Sequence, residues 1–242
     1  MLFQFSAKRV TQALMLVVVL LTFISLGSRL INYVWGYEGF LALLPRFNVG
    51  QDLTIPTWYS SFMLLLCSSL LVTIAAMKKR DEDRYTIHWS ALSIIFLLLS
   101  IDEVAALHEE GGEVFESLAE PLGFTASGFF YYPWVIPGAI FVLLILLTYL
   151  RFIADLPRQT RRLFLIAGSL FVLGALGMEM LTANVESLYG GYQNEPTNIK
   201  IVAVIQTTIE ELLEMLGIVV FIYSLLSYIS SSLKEVSVRV RH

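Results

Sequence analysis

The stretch "HWSALSIIFLLLSIDEVAALHEE", from His88 to Glu110, joins a long apolar run to a group of acidic residues. About 20 mainly apolar residues in an α-helix, each rising about 1.5 Å, can cross the hydrocarbon core of a bilayer. The acids begin at Asp102, before that distance is complete. The stretch therefore predicts a membrane-spanning helix that carries ionisable side chains near one end.

Comparable apolar runs continue along the whole chain, which has 242 residues, 57% of them hydrophobic and 15% charged. This composition is typical of membrane proteins, and backbone groups in lipid are satisfied most simply within helices. The sequence predicts an all-α, integral membrane six-helix bundle that forms a single transmembrane domain over residues 1–242. The expected helices run approximately over Val10–Val34, Thr57–Met77, His88–Leu107, Tyr132–Phe152, Leu163–Leu181 and Ile201–Tyr228.

Basic residues alternate between the loops in a way that predicts the orientation. They occur near the N-terminus, in "KKRDEDR" (residues 78–84), in the loop after the fourth run and in the C-terminal tail, whereas the loop after the third run is acidic. Short cytoplasmic loops are enriched in lysine and arginine. We therefore expect both the N- and C-termini to be cytoplasmic.

Three of the predicted helices carry acids at a similar depth. At about 1.5 Å per residue, these acids lie roughly 18 to 24 Å from the cytoplasmic ends of their helices, in the outer third of the membrane. Residues three, four and seven apart share a helix face, so the acids of each helix also form polar stripes. The residues in this layer are Asp102, Glu103, Glu179, Glu210, Glu211 and Glu214.

The acid layer requires something to neutralise it. Each intramembrane charge costs about 2.5 to 3.5 kcal/mol on insertion scales and normally faces the bundle interior. Arg29 is the best basic partner near this depth, and its side chain either pairs with a carboxylate or extends to the outer interface. Shared protons or bound cations must supply the remaining compensation.

Carboxylates from several helices form an oxygen-rich site that suits Ca, Mg, Mn or Fe. His108 is a further candidate ligand, but an ideal helix points it away from Asp102 and aligns Asp102 with Glu109 instead. His108 would reach the layer only if the helix broke near Leu107; otherwise it is an interfacial histidine. The predicted metal ligands are Asp102, Glu103, His108, Glu109, Glu179, Glu210, Glu211 and Glu214.

Several other kinds of site are not expected. His108 is the only histidine near the acid layer, which argues against a histidine-rich zinc site and against haem. No lysine lies inside the predicted helices, so a retinal Schiff base is not expected either. Scattered basic residues at helix ends argue against nucleic-acid binding.

The segments flanking the acid layer suggest contact with the membrane surface. Val114, Phe115, Leu118 and Leu122 have helix-like spacing in the acidic loop, which predicts a helix lying on the outer surface. The aromatic residues of "GFFYYPWVIPG", residues 128–138, are typical of an interfacial belt.

Two segments carry a resemblance to other proteins. "SxDExxxxHE", starting at Ser100, and "EExLEMLG", starting at Glu210, resemble segments of uncharacterised bacterial multi-pass membrane proteins. The resemblance brings no activity, substrate or fold with it. A bacterial inner (plasma) membrane is the expected location.

Three functions remain open from the sequence. The first is a metal-binding membrane protein; if it is an enzyme, its metal acts on a lipid or small-molecule ligand arriving from the outer leaflet. The second is a proton- or cation-coupled transporter in which the acids are protonated during the cycle. The third is a structural or accessory subunit whose protonated acids form hydrogen bonds between helices.

Overall fold

In the computed structural model the chain is described over residues 6–35, 44–51, 53–191 and 196–239. These residues form helices and no strand. The α-helices are α1 (Ala7–Trp35), α2 (Ile55–Arg80), α3 (Thr86–Ala105), α4 (Leu107–Ala119), α5 (Val135–Asp155), α6 (Arg158–Val172), α7 (Glu179–Tyr189) and α8 (Thr197–Arg239). Leu173–Met178 forms a π-helical segment between α6 and α7, and short 3₁₀ turns occupy Leu44–Phe47, Glu120–Leu122 and Gly128–Phe130.

Six helical segments among the described residues are long and apolar enough to cross a membrane. They are Ala7–Ile31, Ile55–Arg80, Thr86–Ala105, Val135–Asp155, Arg158–Tyr189 and Thr197–Ser232. The prediction of an all-helical, multi-pass membrane protein is therefore confirmed. The fifth segment is longer than expected, because the π-helical segment joins α6 and α7 into one continuous span.

A break at Ala106 ends α3 before the expected Leu107. Ala106 has φ 48° and ψ 38°, the left-handed conformation, and α4 begins at the next residue. The side chain of Asp102 stabilises the break, since its Oδ1 accepts a hydrogen bond from the backbone N–H of His108 at 2.8 Å. The ideal-helix alignment of Asp102 with Glu109 is therefore wrong, because the helix does not continue through this segment.

The two ends of the bundle differ in charge. At the end called here the basic end, the α2–α3 turn is held by an ion pair between Lys78 Nζ and Asp83 Oδ2 at 2.9 Å. Arg84 in the same turn pairs with Asp155 at the end of α5. The opposite end is called here the acidic end, because α4 carries Glu109, Glu110, Glu113 and Glu116 there. At this end the N–H of Gly128 donates to Ser187 Oγ of α7 at 2.8 Å.

The core lies between α2, α3, α6 and α8. Serine hydroxyls join α2 to α3, as in the 2.7 Å hydrogen bond from Ser61 Oγ to the carbonyl of Ser100. The backbone of α8 approaches α6 so closely that a Cβ on Gly217 would lie 2.9 Å from the carbonyl oxygen of Ala167. By contrast, α5 buries only Val135, Tyr149 and Phe152. This loose packing of α5 leaves space inside the bundle.

Candidate functional site: an acid-lined cavity

A cavity of about 1470 Å³ lies between α3, α5, α6 and α8. Its wall is acidic towards the acidic end of the bundle and mainly apolar towards the basic end. All the predicted metal ligands line this one cavity: Asp102, Glu103, His108, Glu109, Glu179, Glu210, Glu211 and Glu214. The structure thus brings the predicted set together from α3, α4, α7 and α8.

The break at Ala106 turns His108 back towards Asp102. His108 Nδ1 lies 3.0 Å from Asp102 Oδ2, so both oxygens of Asp102 are bonded to His108. Burial alone would lower the pKa of His108, but the hydrogen bond and charge of Asp102 outweigh burial and raise the pKa. With Nδ1 engaged, Nε2 is the ring nitrogen that can bind a further group.

Trp134 connects His108 to the carboxylate of α7. The His108 and Trp134 rings meet edge to face with centroids 4.6 Å apart, and Trp134 Nε1 donates to Glu179 Oε1 at 3.3 Å. Gly112 permits this arrangement, since a Cβ there would lie 2.8 Å from the backbone nitrogen of Trp134. Trp134 therefore has a specific position in the site besides its predicted place in an aromatic belt.

Glu179 of α7 and Glu210 of α8 are neighbours in the cavity wall. Glu210 is buried, with 9% of its surface exposed. The pair places a carboxyl group of α7 beside one of α8.

The π-helical segment brings α6–α7 against α8 beside these acids. A Cβ on Gly174 would lie 2.7 Å from Glu214 Cγ and 2.8 Å from the carbonyl oxygen of Glu210. Glu179 follows directly after this segment, so the π-helical turn sets the direction in which its side chain leaves the helix. Segments of this type occur often at functional sites.

Uncharged polar side chains also line this part of the cavity wall. Thr182, with 7% of its surface exposed, lines the cavity, and its hydroxyl has no hydrogen-bond partner among the described residues. Tyr132 hydrogen-bonds Glu186, and burial, followed by the charge of Glu186, raises the pKa of Tyr132. Tyr132 therefore remains a neutral donor.

Arg29 also lies in the cavity wall. A Cβ on Gly50 would lie 3.1 Å from Arg29 Nη1 and 2.6 Å from Thr207 Cγ2, so the guanidinium is directed towards α8. This position inside the bundle favours the interpretation that Arg29 balances carboxylates over the interpretation that it extends to the interface.

The part of the cavity nearer the basic end is apolar and aromatic. Phe96 and Phe221 stack with centroids 4.6 Å apart, and Phe164 packs against Phe221 at the same distance. Other side chains of this part of the wall are Leu92, Ile95, Leu99, Val142, Ile145, Phe152 and Phe171. The cavity as a whole is therefore amphipathic.

Three features of the site were not predicted from the sequence: the conformation of Ala106, the π-helical segment and the position of Trp134. Two glycines in "LGALGM", residues 173–178, were the available signal for the π-helical segment. Within the described residues, no three or more His, Cys, Asp and Glu side chains are arranged so that they could already hold a metal ion. The assignment of metal ligands therefore stays a prediction.

The described helices define an integral, multi-pass membrane protein with an acid-lined internal cavity. The chain belongs to the family described as "Domain of unknown function (DUF8692)", whose model matches residues 8–229. The comparisons found no matching curated protein and no matching solved structure.

Proposed function

We propose that the acidic end of the cavity binds a divalent cation and that the protein is a metal-dependent membrane enzyme. The observation that carries this proposal is His108, which Asp102 holds at the break between α3 and α4 in the same cavity wall as the carboxylates of α7 and α8. A histidine that donates one ring N–H to a carboxylate and keeps its other nitrogen available is the usual arrangement around protein-bound metals.

The geometry divides the predicted ligands into two roles. Both oxygens of Asp102 are bonded to His108, so Asp102 positions the imidazole rather than contacting the cation. The ligands are then His108 Nε2 and carboxylates from Glu103, Glu109, Glu179, Glu210, Glu211 and Glu214. A site with one imidazole and several carboxylates suits Mn or Fe better than Ca or Mg.

Binding requires the carboxyl groups to rearrange. Any of these carboxyl groups that is protonated must lose its proton when a cation binds, because metal ligands bind in their deprotonated form. The side chains then turn by rotamer changes towards one point. The bound cation would polarise a substrate or activate water in a site that lipid and protein shield from bulk solvent.

The position of Glu179 on α7 beside Glu210 on α8 also favours a second candidate, a structural or accessory subunit. In that case protonated acids join the two helices by hydrogen bonds. Ion transport has less support, because the cavity wall between the acids and the basic end consists mainly of apolar side chains, which would not stabilise a transported ion. The structural alternative and a proton-coupled transporter both predict that the protein does not retain a divalent cation.

A titration with Mn²⁺ followed by electron paramagnetic resonance tests the proposal. We expect one bound Mn²⁺ per chain in detergent-purified protein, and binding at least about tenfold weaker in His108→Ala. Glu110→Gln is the matched control, since Glu110 is an exposed acid of the same turn and does not line the cavity. Absence of Mn²⁺ binding by folded wild-type protein would refute the proposal and leave the structural and proton-coupled alternatives.

The orientation and location belong to the same proposal. With the basic loops in the cytoplasm, the cation site lies on the outer side of a bacterial plasma membrane. A substrate then reaches the site from the periplasm or from the outer leaflet.

A further inference from the structure

We propose that the cavity holds one lipid molecule, with its head group among the acids and its hydrocarbon chain between α3, α5, α6 and α8. The head group carries hydrogen-bond donors, such as amine or hydroxyl groups, and no net negative charge. This inference rests on the proposed function, because it names the substrate class of the same site.

The dimensions of the cavity suit a lipid chain. On α8 the wall extends from Ala203 to Phe221. At about 1.5 Å per residue, this length is about 27 Å. One leaflet of a bilayer has a hydrocarbon depth of about 15 Å, half of the roughly 30 Å core. The volume of about 1470 Å³ also exceeds the roughly 300 to 1,000 Å³ that is usual for small-molecule pockets. A long, flexible chain fills such a space.

The chemistry of the wall changes along the cavity as it does along a lipid. The apolar part is lined by Leu, Ile, Val and Phe side chains that match a hydrocarbon chain. The polar part is lined by carboxyl groups of α3, α7 and α8 and by the side chains of Thr182 and Tyr132. An amphipathic ligand can satisfy both parts at once, and a wholly polar or wholly apolar ligand cannot.

The charge balance at the acidic end selects the head group. Acidic side chains are numerous there, and the basic residues of the cavity wall are Arg29 and His108. The acidic side chains of the wall outnumber the positive charges of one divalent cation, Arg29 and His108 together. An anionic head group would be repelled by the excess carboxylates, whereas an amine or hydroxyl donates hydrogen bonds to them. The hydroxyl of Thr182, which lacks a partner among the described residues, is a further group that a polar head can satisfy.

An opening between α5 and α6 gives the lipid a route from the bilayer. Phe141 and Leu146 on α5 line the cavity but remain 47% and 46% exposed on the bundle. Leu165 on α6 likewise lines the cavity and is 48% exposed. Because these side chains face both the cavity and the outside, the cavity is open towards the surrounding lipid rather than closed by packed helices.

A glycine pair provides the test. Gly168 lines the cavity and Gly27 does not, and a Cβ at either position would meet no atom within 4 Å. Gly168→Phe therefore fills the apolar part without a clash at its Cβ, and Gly27→Phe is the matched control in α1. The probe is a long-chain alkyl amine with a photoreactive diazirine in its chain, mixed into nanodiscs that contain the purified protein.

We expect the probe to label cavity residues of α3 and α5, as mapped by peptide mass spectrometry. Labelling should fall severalfold in Gly168→Phe, stay unchanged in Gly27→Phe, and be severalfold weaker with a fatty acid probe of the same length. Equal labelling in both variants, or equal labelling by the amine and acid probes, would overturn the inference.

Mn²⁺ titration of the same samples separates this inference from the proposed function. Gly168→Phe should retain Mn²⁺ binding, because Gly168 lies in the apolar part of the cavity wall, away from the acids. Bound Mn²⁺ without cavity labelling would overturn the lipid inference alone. Cavity labelling without Mn²⁺ binding would overturn the proposed metal site and leave a lipid-binding cavity.

Discussion

The position of His108 differs from the one that helical periodicity predicts. Helical periodicity points His108 away from Asp102, and only a break near Leu107 would bring the two together. The structure has that break at Ala106, which takes a left-handed conformation although it is not a glycine. The two hydrogen bonds from His108 to Asp102 compensate the cost of that conformation. These hydrogen bonds depend on the folded geometry, so the helix propensities of the individual residues give little indication of the break.

Removing the charge of Asp102 should weaken cation binding through His108. Asparagine keeps one oxygen that can accept from the backbone N–H of His108, and it is a good capping residue, so Asp102→Asn should still fold. Its amide group has no second acceptor oxygen for the Nδ1–H of His108, and we expect Mn²⁺ affinity to fall by about 10- to 100-fold. Isothermal titration checks this, with Glu110→Gln as control. Unchanged affinity in Asp102→Asn would contradict the positioning role.

Asp83 gives a pH-dependent contribution to stability at the basic end. Burial alone would raise the pKa of Asp83, but the N–H of Tyr85 and the ammonium of Lys78 outweigh burial and lower the pKa. A lowered native pKa stabilises the folded state above the ordinary carboxyl value of about 4, and this contribution disappears as the pH falls through the native pKa.

We therefore expect the difference in Tm between wild type and Asp83→Asn to be present at neutral pH and to shrink as the pH is lowered below about 4. Thermal unfolding in detergent over a pH series measures it. Glu82→Gln, which changes the exposed neighbour, should show no comparable trend. A difference in Tm that grows on acidification would reverse the assigned sign.

Among the elements, the spanning helices were predictable, but the π-helical segment was not. Length and apolar composition suffice to identify a spanning helix, because a bilayer imposes both. The π-helical turn at Leu173–Met178 instead depends on how closely α6–α7 approaches α8. Gly174 allows this approach, and its fit against Glu210 and Glu214 is visible only when both helices are in place.

Adding one methyl group at Gly174 should destabilise the protein. A Cβ there would lie 2.8 Å from the carbonyl oxygen of Glu210 and 3.1 Å from the nitrogen of Glu214, and backbone atoms cannot move aside cheaply. We expect Gly174→Ala to cost about 1 to 3 kcal/mol. Gly168→Ala meets no atom within 4 Å and should be neutral or stabilising by up to about 1 kcal/mol. Equal Tm values for the two variants would contradict the close contact.

At the scale of the whole molecule, the sequence predicted which acids lie together but not their bonding. Depth along each helix was enough to place carboxylates of α3, α7 and α8 in one cavity, because membrane helices run across a layer of fixed thickness. The hydrogen bond from Trp134 to Glu179 depends on helix rotation and on the π-helical turn. Sequence spacing determines neither.

The predicted orientation can be tested by cysteine labelling, since Cys67 is the only cysteine and is buried. Thr125 is exposed at the acidic end and Gln159 is exposed at the basic end. We expect a membrane-impermeant maleimide to label Thr125→Cys in intact cells and Gln159→Cys only after permeabilisation, because basic loops remain in the cytoplasm. The opposite pattern would place the acid-lined cavity on the cytoplasmic side.

Elemental analysis of the purified protein tests the central claim most directly. Plasma mass spectrometry on detergent-purified protein, with no metal added after cell growth, should find about one divalent ion of Mn or Fe per chain. The double variant His108→Ala, Glu179→Gln should lose that metal while Glu110→Gln retains it. Metal-free wild-type protein that also fails to take up Mn²⁺, or equal metal in the double variant, would contradict the proposed site.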